Sequence, residues 1–208
     1  GISVAAINLI LGRIFKAKSV VSMKPGPIKL TRFDLAIVPM HDEPPKIETV
    51  IETLGAPNII DEELLSGERA KLLKEIAFKK DMKIGVLIGG ETPDYYISKS
   101  TMSLLAKNLR TLCDDLDAEY LIATSRRTPK NLERMIATSF GSDERCKLIS
   151  IASQTKTNPI PGILGLCDII IVTEESISMV SEAASSGKHV FVVRIDRKHH
   201  RRLKQERT

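Results

Sequence analysis

The sequence predicts an α/β protein built on a doubly wound parallel sheet. Two observations carry this reading. From residue 83 onward, short apolar runs alternate with helical patterns through five repeats joined by short connections. That alternation belongs to β-α units whose parallel strands are buried on both faces. The first four runs each end in a polar or glycine-rich turn, and such sheets bind ligands outside the carboxyl ends of their strands.

The elements follow in order. "KIGVLIGG" (Lys83 to Gly90) is a buried strand that ends in two glycines. Ser98 to Leu116 has helical spacing through Met102, Leu105, Leu109 and Leu112. "AEYLIATS" (Ala118 to Ser125) is the second strand. A helix with Thr128 as N-cap and Pro129 in its first turn then runs to about Phe140, where Gly141 stops it. "CKLISIAS" (Cys146 to Ser153) is the third strand, and Asn158-Pro159 opens a short helix to about Leu166. "DIIIVT" (Asp168 to Thr173) is the fourth strand. The helix after it closes at Gly187, and "HVFVVRI" (His189 to Ile195) is the fifth strand.

The first 80 residues read differently. Ile2 to Leu11 is apolar but shorter than the roughly 18 residues of a membrane span, and reads as a core helix. "AKSVVSM" and "FDLAIVP" are two further strands linked by the Pro/Gly-rich "KPGPIKL". Pro44-Pro45 is too stiff for a helix. An apolar stretch, Thr49 to Leu54, precedes a helix from Asp61 to Phe78. The expected division is residues 1–45 as the end of one α/β domain, 46–80 as connector and linking helix, and 81–208 as a complete second domain. The chain lacks an initiator Met and is expected to begin inside a longer protein.

Composition excludes several classes. The three cysteines, Cys113, Cys146 and Cys167, form no C-x-x-C pair and no zinc spacing; they read as buried free thiols in a reducing compartment. The net charge of +5 is local. Residues 194–208 carry seven Lys/Arg and two Asp/Glu, which leaves 24 of each sign in the body. The basic tail reads as a solvated helix face, a phosphate-facing segment, or a patch for nucleic acid or anionic lipid. With no Trp and 4% aromatic residues there is no stacking surface for single strands, so nucleic acid is not the expected partner. His199 and His200 lack acidic partners at ligand spacing, so no metal site is expected.

Four turns should share one sheet edge. Gly89-Gly90 allows close backbone approach, as a binding loop or as a plain tight turn. It is part of no G-x-G-x-x-G or P-loop motif. "TSRRTP" puts Arg126 and Arg127 just before a helix, where guanidinium forks match phosphate or carboxylate oxygens, or pair locally. Ser153 to Thr157 forms the third turn. In "TEESISMVSEAASSGK", Ser176 and Ser178 stand at a helix start, where unpaired N–H groups attract anions; either serine caps the helix or donates to a phosphate. Glu182, further along among small and apolar residues, holds a ribose diol or pairs with a nearby cation. His41 and Asp42, past a strand end, are candidates for a catalytic base or an ordinary cap. No G-x-S-x-G elbow and no glycosidase acid pair stands out.

A serine-bearing helix start, Ser-Glu-Ala, small residues, Gly-Lys and an apolar strand resemble the nucleotide-sugar site of GT-B glycosyltransferases. "RFDLAIVPMHD", "IGVLIGGET", "TSRRTP", "TNP" and "VTEESISMVSEAASSGK", in this order, resemble the mitochondrial fission elm-like family of bacteria and plants, which is assigned to the GT-B superfamily. The resemblance implies a Rossmann-like C-terminal domain of GT-B type that binds the nucleotide sugar, preceded by the end of an N-terminal Rossmann-like domain. It implies donor binding by Gly89, Gly90, Ser125, Arg126, Arg127, Glu174, Ser176, Ser178, Met179 and Glu182. Glu182 would hold the ribose, and Ser176 and Ser178 would meet the diphosphate. The implied activity is metal-independent sugar transfer from a nucleotide diphosphate, with no cofactor and with a membrane-associated acceptor as one option. In GT-B enzymes the acceptor site and any base usually come from the N-terminal domain, so the base is not placed. Two alternatives stay open: a non-catalytic scaffold linked to membrane or organelle division, and a nucleotide-sugar epimerase. The expected location is cytoplasmic, or peripheral at a membrane.

Overall fold

The structure is a computed structural model. It describes residues 2–198, with the side chains of Ile2 and Ser3 left out. His199, His200 and the rest of the basic tail lie outside the described residues. The chain divides into two compact units, 1–59 and 60–208.

The first unit holds helix α1 (Ile2–Ile14) and strands β1 (Val20–Ser22), β2 (Leu35–Pro39) and β3 (Val50–Thr53). All are parallel, in the order β1-β2-β3. Leu30, Ala36 and Val38 form its core. Because β3 pairs with β2, residues 50–53 belong to this sheet and not to a connector. The expectation of a core helix for Ile2 to Leu11 needs correction. Ala5 is buried, but Val4, Ile7, Ile10 and Leu11 are exposed. A helix that is apolar all round has only one stripe for a sheet to cover.

The second unit begins with α2 (Glu62–Glu75), whose N-cap Asp61 accepts a bond from the Leu64 N–H at 2.8 Å. Strand β4 (Lys83–Ile88) follows, then the short β5 (Tyr95–Tyr96) and α3 (Lys99–Asp115). Next come β6 (Glu119–Thr124), α4 (Lys130–Phe140), β7 (Cys146–Ser150), α5 (Ile160–Leu166), β8 (Ile169–Thr173), α6 (Ile177–Ser185), β9 (His189–Val193) and β10 (Asp196–Arg197). The main sheet is fully parallel in the order β7-β6-β4-β8-β9. This is the doubly wound α/β sheet of the Rossmann-like type that the alternating pattern predicts. The chain winds one way from β4 through β6 to β7 and the other way through β8 to β9. The crevice therefore opens between β4 and β8 at their carboxyl ends.

Two apolar layers cover the sheet. One packs Ile84, Val86, Ile88, Tyr120 and Ile122 against α3 and α4; the other packs Leu87, Leu121, Ile170 and Val172 against α5 and α6. Burying each such side chain contributes about 1.5–3 kcal/mol. Cys113 and Cys167 are buried and Cys146 is partly so, all as free thiols. Burial pushes the Cys113 and Cys146 thiols up to about 11, which leaves them unreactive near neutral pH.

Helices α2 and α5 approach closely at two glycines. A Cβ on Gly162 would lie 3.2 Å from the Glu68 carbonyl oxygen, and one on Gly165 would lie 2.3 Å from that of Leu65. In an open helix, Gly→Ala gains about 0.5–1 kcal/mol. Here the clash with backbone should reverse the sign. Gly165→Ala is expected to destabilise the unit by about 2 kcal/mol, read from the midpoint of urea unfolding; an unchanged midpoint would refute the close-packing account.

The tail start is also held in the fold. Asp196, in β10, accepts from Ser98 N at 3.0 Å and from Thr101 Oγ1 at 2.6 Å, at the N-terminus of α3. β10 pairs antiparallel with β5. No helix among the described residues is long and apolar enough to cross a membrane.

Candidate functional site

The carboxyl ends of β6 and β7 and the start of α6 frame a cleft of about 660 Å³. Three turns line it: Ser125, Arg126 and Arg127 after β6; Thr155 to Pro159 after β7; and Ser176, Ser178, Met179 and Glu182 at the start of α6. Seven of the ten residues expected from sequence thus share one wall system. Gly89, Gly90 and Glu174 are not on the lining.

The two glycines do a different job. A Cβ on Gly90 would sit 2.3 Å from the Arg127 carbonyl oxygen, and one on Gly89 only 1.9 Å from Glu175 Oε1. The β4 turn therefore lies pressed between its neighbours. Gly89 N–H donates to Thr173 Oγ1 at 2.9 Å. On the other side, Thr128 Oγ1 donates to the Gly89 carbonyl and accepts from Ser125 N–H at 3.0 Å. That explains a correction to the sequence reading. Thr128 does not cap α4; Pro129 is its N-cap residue, and no side chain caps it. The threonine hydroxyl is already committed across the sheet. Glu174 is likewise engaged, its Oε1 accepting from Ile195 N–H at 2.9 Å.

The start of helix α6 has features that suit an anion. Ser176 stands at its N-cap, buried, but its side chain makes no capping bond. The first turn contains no acidic residue, so nothing within the helix neutralises its positive end. Arg127 Nη2 donates to Ser176 Oγ at 3.3 Å. With that oxygen acting as acceptor, the serine's own O–H remains available to a ligand. The adjacent Arg126 and the Lys156 of the β7 turn add positive charge, against the single lining carboxylate, Glu182. Burial pushes the Glu182 carboxyl up from its ordinary value, as expected for a half-buried acid with no cation beside it.

Sequence reasoning passed over Glu175. It is buried to 8% exposure, accepts from Thr173 Oγ1 at 3.1 Å, and leaves Oε2 without a hydrogen-bond partner. Adjacent glutamates give no sequence signal for which one turns inward. His41 and Asp42 lie in a 3₁₀ turn (Met40–Asp42) of the first unit, with His41 Nε2 4.0 Å from Asp42 Oδ1. No cluster of metal-ligating residues occurs among the described residues.

The family model for Mitochondrial fission ELM1 matches residues 1–207. The chain belongs to this family. The ordered motifs of the sequence pointed to the same relationship. Mitochondrial fission protein ELM1 of Arabidopsis thaliana is 27% identical over 190 residues, covering 80% of this chain and 43% of that protein. An uncharacterized protein, RP120, of Rickettsia prowazekii (strain Madrid E) is 28% identical over 148 residues, covering 71% of this chain and 41% of the relative. The chain thus spans about two fifths of the curated relatives it matches. Among solved structures, S. aureus MnaA in complex with UDP aligns with TM-score 0.53 at 14% identity, over 95% of this chain and 65% of that one. The likeness is one of fold. This ELM1-family chain has the α/β, GT-B-type architecture.

Proposed function

We propose that the cleft binds the nucleoside-diphosphate part of a nucleotide sugar, and that the protein is a GT-B-like glycosyltransferase using that donor. One observation supports this most: Arg127 reaches Ser176 at an N-terminus of α6 that no side chain caps. Helix N–H groups, two arginines and serine hydroxyls suit a diphosphate, whose charge grows as the sugar bond breaks. In this reading Ser125, Arg126, Arg127, Ser176 and Ser178 face the phosphates. Glu182 grips the ribose hydroxyls, and Met179 packs beside it. Gly89 and Gly90 act by letting the turns close together, and Glu174 by fixing the segment that enters β10. The UDP bound to the structural neighbour fits this class of ligand. The acceptor and the base are left to parts of the full-length protein beyond this cleft.

The test is calorimetry of the full-length protein with UDP, GDP and ADP. At least one should bind, and Glu182→Ala should weaken it about tenfold by removing two ribose hydrogen bonds. No binding of any of the three would sink the donor-site reading. A second reading draws on the family's name, which refers to organelle division: a GT-B-fold scaffold that keeps the pocket and has lost transfer. Binding without donor hydrolysis or transfer into a membrane extract would favour it.

A further inference from the structure

We propose that Glu175 is a positioning residue, which ties the turns after β4, β6 and β8 into one anion-binding wall through its buried carboxyl group. The proposal rests on the donor-site reading for its function, but its geometry stands alone. The bonds form a closed ring. Glu175 Oε1 accepts from Thr173 Oγ1, which accepts from Gly89 N–H. The Gly89 carbonyl accepts from Thr128 Oγ1. Arg127, the next residue back, reaches Ser176, the neighbour of Glu175. The carboxyl fills the space beneath Gly89, where even a methyl group would meet Oε1.

The hydrogen count weighs against an ionised acid. Thr173 has one hydroxyl hydrogen, and it goes to Oε1. Oε2 is buried with no partner. An ionised carboxylate would leave that oxygen charged and bare, the most costly arrangement for a buried polar atom. A proton on Oε2 removes the charge. Burial pushes this carboxyl up from its ordinary value; its own N–H, Thr173, Gly90 and Arg127 pull the other way and do not prevail.

The charged group that faces it is Arg127, from the turn after β6; the β4 turn offers Gly90 and β8 offers Thr173. A neutral Glu175 makes no ion pair with that arginine, so the guanidinium keeps its charge for a ligand. Ionised, it would compete with the ligand for Arg127. Anion binding should therefore weaken as pH rises through the elevated carboxyl value, for a reason specific to this residue.

The experiment titrates UDP into the full-length protein and its Glu175→Gln and Glu175→Ala variants over a series of pH values rising from about pH 6. The ratio of wild-type to Gln dissociation constants cancels the ionisation of UDP itself. It should be near one where the carboxyl is protonated and rise to about fivefold or more once it ionises. Ala should bind about tenfold more weakly than Gln throughout the series. A ratio that does not move with pH, an Ala variant that binds like wild type, or a Gln variant that fails to fold would each overturn the proposal. If wild type binds no nucleoside diphosphate, the donor reading falls separately. Amide hydrogen exchange at Gly89, Gly90 and Thr128 then decides the role of Glu175. Protection kept in Gln and lost in Ala supports it; equal protection in all three overturns it.

Discussion

Gly90→Ala is expected to destabilise the second unit by about 3 kcal/mol and to abolish nucleoside diphosphate binding at ordinary ligand concentrations. The added Cβ would lie 2.3 Å from the Arg127 carbonyl oxygen, 2.4 Å from its carbon and 2.8 Å from Thr128 N. All three are backbone atoms in a turn fixed by Thr128, so no side chain can rotate away. Relief requires the β4 turn and the β6 turn to separate, which moves Arg127 off Ser176. Gly67→Ala is the matched control. It lies in α2 with nothing within 4 Å of the added atom, and should stabilise by about 0.5–1 kcal/mol. Urea unfolding of both variants tests the pair. Equal and small shifts would show that the turns have room to part.

The strands of the second unit were legible because parallel strands buried on both faces leave unbroken apolar runs. Ile169 to Val172 and Ile84 to Ile88 could hardly be anything else, and β8 and β4 cover them. Strand order was not legible, since periodicity carries no information about neighbours. β5 and β10 escaped because two-residue strands have no period to detect. β3 was read only as an apolar stretch, with residues past 45 given to a connector. Its place in the first sheet rests on backbone pairing with β2, which leaves no trace in Val50 to Thr53.

The site was legible where chemistry and position coincide. Arg126, Arg127, Ser176 and Glu182 are unusual residues for turns and helix starts in a packed sheet, and the sheet brings them together. It was illegible where the effect comes from a residue's partner. Glycine pairs announce a tight turn, but not that the space beneath Gly89 is filled by Glu175. Thr128 looks like a cap because threonine before proline often is one. Only the nearby Gly89 carbonyl, 39 positions away in sequence, redirects its hydroxyl. Of Glu174 and Glu175, one bonds the backbone at Ile195 and the other is buried against Gly89 and Thr173. Both lie in the turn just past β8, where the sequence has no periodicity to tell them apart.

The second large effect concerns the arginine at the mouth of α6. Arg127→Ala should weaken nucleoside diphosphate binding by about 2–3 kcal/mol, near a hundredfold, because a charge-assisted contact to phosphate is lost. Ser176→Ala should cost about 1 kcal/mol. It should do so with little loss of stability, since that hydroxyl caps nothing in the unliganded chain. The two losses should not add. Arg127 already donates to Ser176 Oγ at 3.3 Å, and that bond orients the serine hydrogen outward. Without the arginine the hydroxyl is free to turn back onto the α6 N–H groups as an ordinary cap, and its contribution to the ligand falls. A double-mutant cycle should therefore show a coupling of about 1 kcal/mol, with the double variant binding no worse than Arg127→Ala. Strict additivity would mean that each group meets the anion independently, and that the Arg127–Ser176 contact has no part in building the site. Raising salt discriminates further. The arginine's share should shrink with ionic strength, because the pair is partly exposed and screened, whereas the serine's share should not.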